Sequence, residues 1–485
     1  MMTVQRRWYS GMLSTEDWWA VWIGLFFVFL GLLAAATGME STGWIVKFSK
    51  WVDLEKSFGP SHKGLLGSGA SILLSYLVFT LATCIGAKFM QWNVKKYFVA
   101  WTIIFWLSAL FYVVGQNAYV AATSLDQAKY GIDWSLSLGG AYYIIALFAG
   151  LIIGNLTPKK FRDYIKEAAK PEWFIKVAIV CLGTKLGLKA IEATGFAMHL
   201  LFAGCCATIA AYMLFWPLAY TVCRRIFKLS REWSACLSSA ISVCGVSAAI
   251  ATGGAIRARP IVPIMISSLV VVFAVIELVV LPGVLASYFS DEPIVAGSSL
   301  GLTVKTDGAD AAAGAILDEL IRAKKAEEGI LWDEGWILSA AIMTKIWIDM
   351  FIGIWAFVLA VVWIWYIDRR EGEKVPKSEI WFRFPKFVIG YFVAWFVVMG
   401  VGLTELISFE DLEFGIKPVE GSLRKFFFML TFTSIGVVTD FRELAREGLA
   451  KLAAAYAVIL TFIIIPLGIF IAWLFHHGML PPSAQ

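Results

Sequence analysis

Charged residues are scarce in this chain of 485 residues, where they make up 16% of the sequence against about 25% in an ordinary soluble protein. The seven cysteines include no C-x-x-C pair, so neither a disulfide framework nor a zinc site is indicated. The four histidines are accompanied by no HExxH, GxSxG or P-loop pattern, and we therefore expect no enzyme. Basic residues lie in short loops and form no basic surface interleaved with aromatics, which excludes a nucleic-acid-binding protein despite the net charge of +5.

Apolar residues are abundant instead, at 59% of the chain, and the mean hydropathy is +0.75. Repeated apolar runs approach the ~20 residues that cross a hydrocarbon core of ~30 Å. The first run, residues 18–38, is too long for a signal-peptide core and is predicted to be a transmembrane helix. The sequence thus predicts an all-α polytopic membrane protein with about 11 to 13 transmembrane segments.

Loops rich in Lys and Arg predict which side of the membrane each segment faces. The loops at 159–170, 224–231 and 369–386 are rich in basic residues, so they and the N-terminus are predicted to be cytoplasmic. If 159–170 and 369–386 share a side, an even number of crossings separates them. The weakly apolar segments 231–256 and 298–322 are therefore expected either both to cross the membrane or both to re-enter it.

A weak internal repeat relates two apolar helices that each contain a glycine followed by a basic residue. Setting Gly183 on Gly436 also pairs Lys189 with Arg442. Such interruptions are typical of the discontinuous crossing helices of inverted-repeat secondary transporters. The predicted organisation is an N-terminal Trp-rich helix and amphipathic connector (1–68), a first repeat region broken near 183 (69–230), a helix broken at 244–245 with the following span (231–297), and a second repeat region broken near 436 (298–485).

Ionisable residues inside apolar segments are costly, and they mark either a transport pathway or an ion pair. Lys345 and Asp349 lie one helical turn apart, where they either neutralise each other or serve a substrate. Asp307 and Asp310 lie in the polar middle of the segment 298–322 and are either coupling carboxylates or solvated loop residues. Glu277, alone in an apolar run, is a coupling carboxylate, a buried pair partner or a headgroup contact.

The sharpest motif is SSAISVCGVSAAIATGGAI, residues 238–256. Cys244 and Gly245 interrupt a helix that restarts at once in an Ala-rich run, and the hydroxyl of Ser247 lies beside the break. The restarted helix has unpaired N–H groups and a positive dipole end, which suit an oxyanion. Close helix packing through small residues is the alternative interpretation.

Four stretches together resemble the YeiH-like sulfate exporter family: CGVSAAIA (244–251), LGTKLGLKAI (182–191), SIGVVTDF (434–441) and Lys345 followed by IGIWAFVLAVVW (352–363). The resemblance covers roughly residues 135–475. It implies a secondary transporter of the prokaryotic inner membrane, distantly similar to bile acid:sodium symporters, with two inverted repeats whose broken helices cross near the midplane. The family has an acidic element where this chain has residues 305–310, and either Asp307 or Asp310 matches its acid.

The predicted function is export of a small sulfur-containing anion, such as sulfate, sulfite or a short sulfonate, by a secondary active transporter. The alternative is a Na⁺- or H⁺-coupled importer of a small carboxylate on the same fold. The predicted substrate-binding residues are Cys244, Gly245, Ser247, Ala248, Gly183, Ser434, Gly436 and Lys345, and the predicted coupling residues are Asp307, Asp310 and Asp440. Apart from Na⁺ or H⁺ as the coupling ion we expect no cofactor and no metal; the expected partners are the anion, the lipid bilayer and a second copy of the chain.

Overall fold

A computed structural model of the chain describes residues 11–38, 41–62, 66–122, 127, 129–136, 141–259, 261–367, 381, 384–404, 406–440 and 450–483, which form a helical bundle. The helices are α1 Glu16–Thr37, α2 Ser68–Phe89, α3 Val94–Gly115, α4 Ala118–Ala121, α5 Ala141–Leu156, α6 Lys159–Lys166, α7 Pro171–Glu192, α8 Thr194–Arg225, α9 Arg231–Ser242, α10 Gly245–Ile256, α11 Ile261–Tyr288, α12 Pro293–Thr303, α13 Asp307–Glu327, α14 Trp336–Met350, α15 Ile352–Val362, α16 Phe387–Leu403, α17 Phe409–Lys417, α18 Arg424–Val438, α19 Ala450–Ile459 and α20 Ile465–His476. To these are added a 3₁₀ turn at Leu54–Lys56, π-helical turns at Trp363–Ile367, Pro418–Leu423 and Leu460–Ile464, and an antiparallel pair of short strands, β1 Val46–Phe48 and β2 Phe58–Pro60.

Many of these helices have the length and composition of membrane spans. Within the described residues, seven helical stretches are long and apolar enough to cross a membrane. They are Glu16–Thr37, Ser68–Phe89, Val94–Gly115, Thr194–Arg225, Ile261–Tyr288, Trp336–Val362 and Ala450–His476. The prediction of an all-α polytopic membrane protein is confirmed.

The segment 231–256 folds back on itself as a re-entrant hairpin, called hairpin 1 (α9 and α10). Each half has 12 residues, or ~18 Å of helix, about half of the hydrocarbon thickness. The two ends lie together, because Glu232 at the start of α9 accepts hydrogen bonds from the backbone N–H of Arg259 at 3.1 Å and from its guanidinium at 2.7 Å. Hairpin 1 therefore enters and leaves the membrane on one side.

The helices α12 and α13 form a second re-entrant hairpin, called hairpin 2, with an extended stretch at residues 304–306 between them. The end of α13 returns to the end of α11, where Lys324 donates a hydrogen bond to the carbonyl of Ala286 at 3.4 Å and Lys325 pairs with Asp291. Because α11 crosses the membrane after hairpin 1, the two hairpins enter from opposite sides.

Each hairpin is followed by a long helical span, α11 after hairpin 1 and α14–α15 after hairpin 2. Each of these two consecutive units consists of a hairpin followed by a long helical span, and the two units have opposite orientations in the membrane. This is an inverted arrangement. Of the two alternatives that the sequence leaves open for 231–256 and 298–322, both segments re-enter. The broken helices consequently meet at their tips and do not pass across each other.

The break predicted near Gly183 does not lie at this glycine, because α7 continues to Glu192. The helix α18 ends at Val438, just beyond Gly436, and Thr439 is extended, so a helix end does lie near Gly436. Both glycines serve close packing between helices. A Cβ on Gly183 would collide with the carbonyl oxygen of Tyr391 on α16, and a Cβ on Gly436 with that of Leu147 on α5. The predicted repeat regions 69–230 and 298–485 stay a prediction, and the two units that the hairpins define begin at α9 and at α12.

The N-terminal helix α1 is an integral part of the bundle. Asp17 at its start pairs with Lys176 of α7 at 2.7 Å and accepts a hydrogen bond from the backbone N–H of Lys386, just before α16, at 3.1 Å. The starts of α1, α7 and α16 therefore lie on one side, as expected for the loops 159–170 and 369–386. Most of the loop 369–386 lies outside the described residues, as does Arg442, the repeat partner of Lys189.

Asp318, on α13, fastens hairpin 2 to the following span. Its carboxylate accepts hydrogen bonds from the backbone N–H groups of Gly335 at 2.9 Å, Ile337 at 3.1 Å and Leu338 at 3.3 Å, and from Arg322 at 2.8 Å. The three backbone donors belong to the N-cap residue and the first turn of α14, whose positive dipole end favours an anion. Asp318 thus fixes where α14 begins relative to hairpin 2.

We expect Asp318→Ala to lower the free energy of unfolding by about 1–3 kcal/mol, because buried N–H groups would lose their acceptor. Thermal unfolding of the purified protein in detergent measures the effect. Asp53→Ala, which removes the exposed partner of Lys56, is the control and should leave the unfolding temperature unchanged. An unchanged unfolding temperature in Asp318→Ala would contradict this anchoring role.

Candidate functional site

The tips of the two hairpins meet inside the bundle, at Gly245 and Lys305. A Cβ on Gly245 would lie 2.5 Å from the carbonyl oxygen of Lys305 and would also collide with Val270. The φ angle of Gly245 lies outside the left-handed region, so glycine is needed here for close approach and not for its conformational freedom. The break predicted at 244–245 is confirmed, since α9 ends at Ser242 and α10 begins at Gly245.

Lys345, on α14, joins the two tips. Its Nζ donates hydrogen bonds to the carbonyl oxygens of Val243, beyond the end of α9, and Val304, beyond the end of α12, each at 3.2 Å. The C-terminal end of a helix has unpaired carbonyls and a partial negative charge, both of which favour a cation. The side chain is 3% exposed, so its charge is neutralised within the protein.

Buried acidic groups surround this lysine. The thiol of Cys244 donates a hydrogen bond to Oδ1 of Asp307 at 3.1 Å. With Asp349 these residues form a group of three whose ligand atoms lie within 4.8 Å of one another, and such thiol and carboxylate groups are able to hold a cation. Among the described residues, neither carboxylate oxygen of Asp349 or Asp310 has a hydrogen-bond partner, although both side chains are buried.

Lys305 is a second buried lysine at the site, and the sequence-based prediction did not include it. Its side chain is fully buried, with Nζ donating a hydrogen bond to the carbonyl of Leu302 and lying 5.4 Å from the ring centre of Phe215. Its backbone N–H donates to Oε2 of Glu277 at 3.1 Å, so Glu277 binds the tip of hairpin 2. Its role could have been predicted from its position, because Lys305 is a lysine within the segment 298–322, which is predicted to enter the membrane.

The cluster has more acidic than basic groups. Its carboxyl groups belong to Glu277, Asp307, Asp310 and Asp349, and its ammonium groups to Lys305 and Lys345. If all six were ionised, two negative charges would remain uncompensated in the interior, which is costly. The site therefore requires protons or a bound cation for neutrality.

The other predicted site residues in this part of the fold lie on α10 and α18. Ser247 and Ala248 are in the first turn of α10, Ser247 exposed and Ala248 buried. Ser434 is buried in α18, and its hydroxyl has no hydrogen-bond partner among the described residues. The helix α18 contacts the start of α13, because a Cβ on Gly308 would lie 3.4 Å from Ile435.

Asp440, a predicted coupling residue, lies just beyond the end of α18 and forms an ion pair with Arg162 at 3.4 Å. Gly183 and Gly436 lie in the helix-packing contacts described above, Gly183 within α7 and Gly436 near the end of α18. The structure thus brings together Cys244, Gly245, Asp307, Asp310 and Lys345, and it places Gly183, Gly436 and Asp440 in other contacts.

A polar cavity of about 370 Å³ borders the C-terminal half of α13. Its charged lining residues are Lys47, Lys50, Asp318, Glu319, Arg322, Glu334, Arg424 and Lys425. Glu334, in the loop after α13, lies 3.3 Å from Lys185 and 3.4 Å from Lys425. These two ammonium groups, Lys185 foremost, hold the pKa of Glu334 well below its usual range, so its carboxylate is ionised at neutral pH. The cavity gives hairpin 2 a charged surface on the side from which it enters.

Comparison with known proteins places these features in a family. The family model described as Conserved hypothetical protein 698 matches residues 120–455. A UPF0324 membrane protein of Nitrosomonas europaea is 50% identical to this chain, over 99% of this chain and 100% of the relative. The chain belongs to the UPF0324 membrane protein family. A further UPF0324 membrane protein, of Rhodopirellula baltica, is 30% identical over 83% of this chain and 66% of its own length. No solved structure matches the chain.

The part of this UPF0324 protein that matches the family model contains both hairpins and the whole charged cluster. The names of its relatives agree with the multi-pass membrane architecture described above. Membership therefore supports a membrane protein.

Proposed function

We propose that this UPF0324 protein is a secondary active transporter whose substrate and coupling ion bind where the two hairpin tips meet. The observation that carries the proposal is a buried charged cluster between two hairpins that enter from opposite sides. Ionisable groups at this depth are expensive, and in membrane proteins they mark ion and substrate pathways. Broken helices that converge near the midplane of inverted units are the usual location of substrate and ion sites in secondary transporters.

An anionic substrate is supported by the two helix starts at the tips. The first turns of α10 and α13 have backbone N–H groups without helical partners, and Lys305 adds a buried positive charge beside them. The four sequence stretches described above resemble the YeiH-like sulfate exporter family. This resemblance supports a small sulfur-containing anion, such as sulfate, sulfite or a short sulfonate, as the substrate and export as the direction of transport. The proposal includes no catalytic role and no cofactor other than the coupling ion.

A coupled importer of a small carboxylate is the second candidate. It is favoured by the excess of carboxyl over ammonium groups in the cluster, because uptake driven by H⁺ or Na⁺ needs binding sites for those cations. Both candidates use an anionic oxygen group on the substrate, so the direction of coupled flux is what separates them.

Counterflow in proteoliposomes tests the proposal. Vesicles loaded with unlabelled sulfate should accumulate labelled sulfate from outside, and sulfite and methanesulfonate should compete, whereas acetate should not. Imposed pH and Na⁺ gradients of either direction then show whether net flux is outward or inward. Competition by acetate but not by sulfite would favour the carboxylate importer. The absence of flux for all of these anions would contradict a transport function.

We expect Lys305→Met to reduce sulfate counterflow at least about tenfold, since a charge-assisted contact contributes on the order of 1.5–3 kcal/mol. Methionine keeps most of the buried volume and removes only the charge. Lys56→Met, in the exposed turn between β1 and β2, removes the same charge outside the site and should leave counterflow unchanged. Equal flux in Lys305→Met and the wild type would remove Lys305 from the site.

A further inference from the structure

Lys345 makes an unusual set of contacts for a buried lysine. Its ammonium group donates to one carbonyl oxygen from each hairpin, Val243 and Val304, at 3.2 Å in both cases. The neighbouring Asp349, one turn along α14, has no hydrogen-bond partner on either oxygen among the described residues. The charge of Lys345 is therefore directed at the hairpin tips, and it does not form a hydrogen-bonded pair with its helical neighbour.

The groups around this ammonium are those that an alkali metal ion prefers. Backbone carbonyls at the ends of broken half-helices, together with nearby carboxylates, are hard oxygen ligands, and they coordinate Na⁺ in transporters with discontinuous helices. The lysine ammonium is a compact point charge with three N–H donors, so it satisfies the same oxygens from within the chain.

We propose that the ammonium of Lys345 occupies the position of a coupling metal ion, so that a tethered cation bridges the two hairpin tips and the protein neither binds nor requires Na⁺. This inference deepens the proposed function, on which its consequence for coupling rests, because it leaves the proton as the ion that neutralises the remaining carboxyl groups. It also changes the role of Lys345 from countercharge for the substrate to a structural cation at the tips.

The neighbouring group of Cys244, Asp307 and Asp349 fits this arrangement. These residues have ligand atoms within 4.8 Å of one another and thus resemble a cation site. Lys345 interacts electrostatically with all three, so its fixed positive charge disfavours a second cation beside it. A proton, which becomes part of a neutral carboxylic acid or thiol, meets no comparable repulsion.

Without the ammonium group of Lys345, the carbonyl oxygens of the two tips should bind a free cation. In Lys345→Ala the two tip carbonyls lose their donor, and a cavity forms where the side chain was. We expect the purified variant to unfold at a lower temperature than the wild type in choline chloride. Added NaCl at the same ionic strength should restore part of the stability, with a saturable rise of about 2–4 °C. Ethylammonium chloride, which supplies the missing ammonium group, should act likewise.

The wild type should show the same unfolding temperature in NaCl and choline chloride of equal ionic strength. Lys185→Ala is the matched control, because it removes a lysine paired with Glu334, which lines the cavity beside α13, and should lose stability equally in all three salts. Na⁺-specific stabilisation of the wild type would overturn the inference, as would a Lys345→Ala variant that neither Na⁺ nor ethylammonium stabilises. If Lys345→Ala does not fold, the wild-type comparison alone remains decisive, because Na⁺ must have no specific effect on it.

This measurement separates the inference from the proposed function. Unfolding temperatures need no transported substrate, so a protein without anion flux could still show the expected salt responses, and then only the proposed function would fail. Anion flux that requires Na⁺ in the wild type would have the opposite meaning, since transport would stand and the tethered cation would fail.

Discussion

Gly245→Val should abolish anion transport while the protein still inserts and folds into the membrane. The tip of hairpin 1 lies so close to hairpin 2 that a Cβ would be 2.5 Å from the carbonyl oxygen of Lys305, and it would also meet Val270. A backbone oxygen cannot move aside as a flexible side chain can, so the two tips must separate. We expect a loss of more than about a hundredfold in counterflow, the scale at which a displacement of about 1 Å disables a site.

Alanine already has the Cβ atom that collides, and the two methyl groups of valine add further collisions. Gly245→Ala should therefore also transport poorly, and Gly245→Val should be worse. Gly283→Val is the matched control, because this glycine lies within α11 with no atom within 4 Å of its Cβ position. Near-normal counterflow in Gly245→Val would show that the close contact of the tips is packing and not part of the transport site.

The position of this tip was predictable from the sequence for a local reason. Cys244 and Gly245 stand between a serine-rich and an alanine-rich half, so small residues and a helix interruption occur together within a few positions. Neither half is long enough to cross the membrane alone. The break at 244–245 therefore follows from local composition. The prediction that 231–256 and 298–322 behave alike has a different basis, namely the basic loops and the even number of crossings between them.

The glycines that were assigned to breaks show what local composition leaves out. Gly183 and Gly436 lack a side chain, as Gly245 does, but each packs against a backbone carbonyl from a distant part of the chain, Tyr391 or Leu147. Gly183 lies in the middle of α7, and Gly436 lies near the end of α18. A glycine that breaks a helix and one that lets two helices approach look alike in one sequence. Only the fold distinguishes them.

The same limit applies to the charged residues. Lys345 and Asp349 are one turn apart and suggested a local ion pair, yet the hydrogen-bond partners of Lys345 are carbonyls of two other segments. Lys305 reaches the site because an extended stretch places it between α12 and α13. Asp440 is paired with Arg162, a contact across almost the full length of the matched region. These partners are non-local, so the spacing of residues along one helix does not reveal them.

Coupling is the property on which Asp310 should have the largest effect. Its carboxyl group is fully buried in the first turns of α13, and among the described residues neither oxygen has a hydrogen-bond partner. A buried carboxylate without donors is stabilised when it binds a proton or another cation, which makes this group a natural carrier of the coupling ion. Both carboxyl groups lie in the first turn of α13. Asp307 differs from Asp310 because it already accepts a hydrogen bond from Cys244.

We therefore expect Asp310→Asn to keep exchange of labelled for unlabelled sulfate but to lose accumulation driven by a pH gradient, because asparagine preserves the shape and cannot take up a proton. Counterflow and pH-driven uptake, measured on the same vesicles, separate the two properties. Asp307→Asn should weaken both, since it alters the tip itself. Asp440→Asn, which removes the partner of Arg162 away from the cluster, is the control and should preserve the ratio of driven flux to exchange. If both Asp307→Asn and Asp310→Asn retained full gradient-driven accumulation, neither carboxyl group would carry the coupling proton, and the excess of acidic groups at the tips would need another explanation.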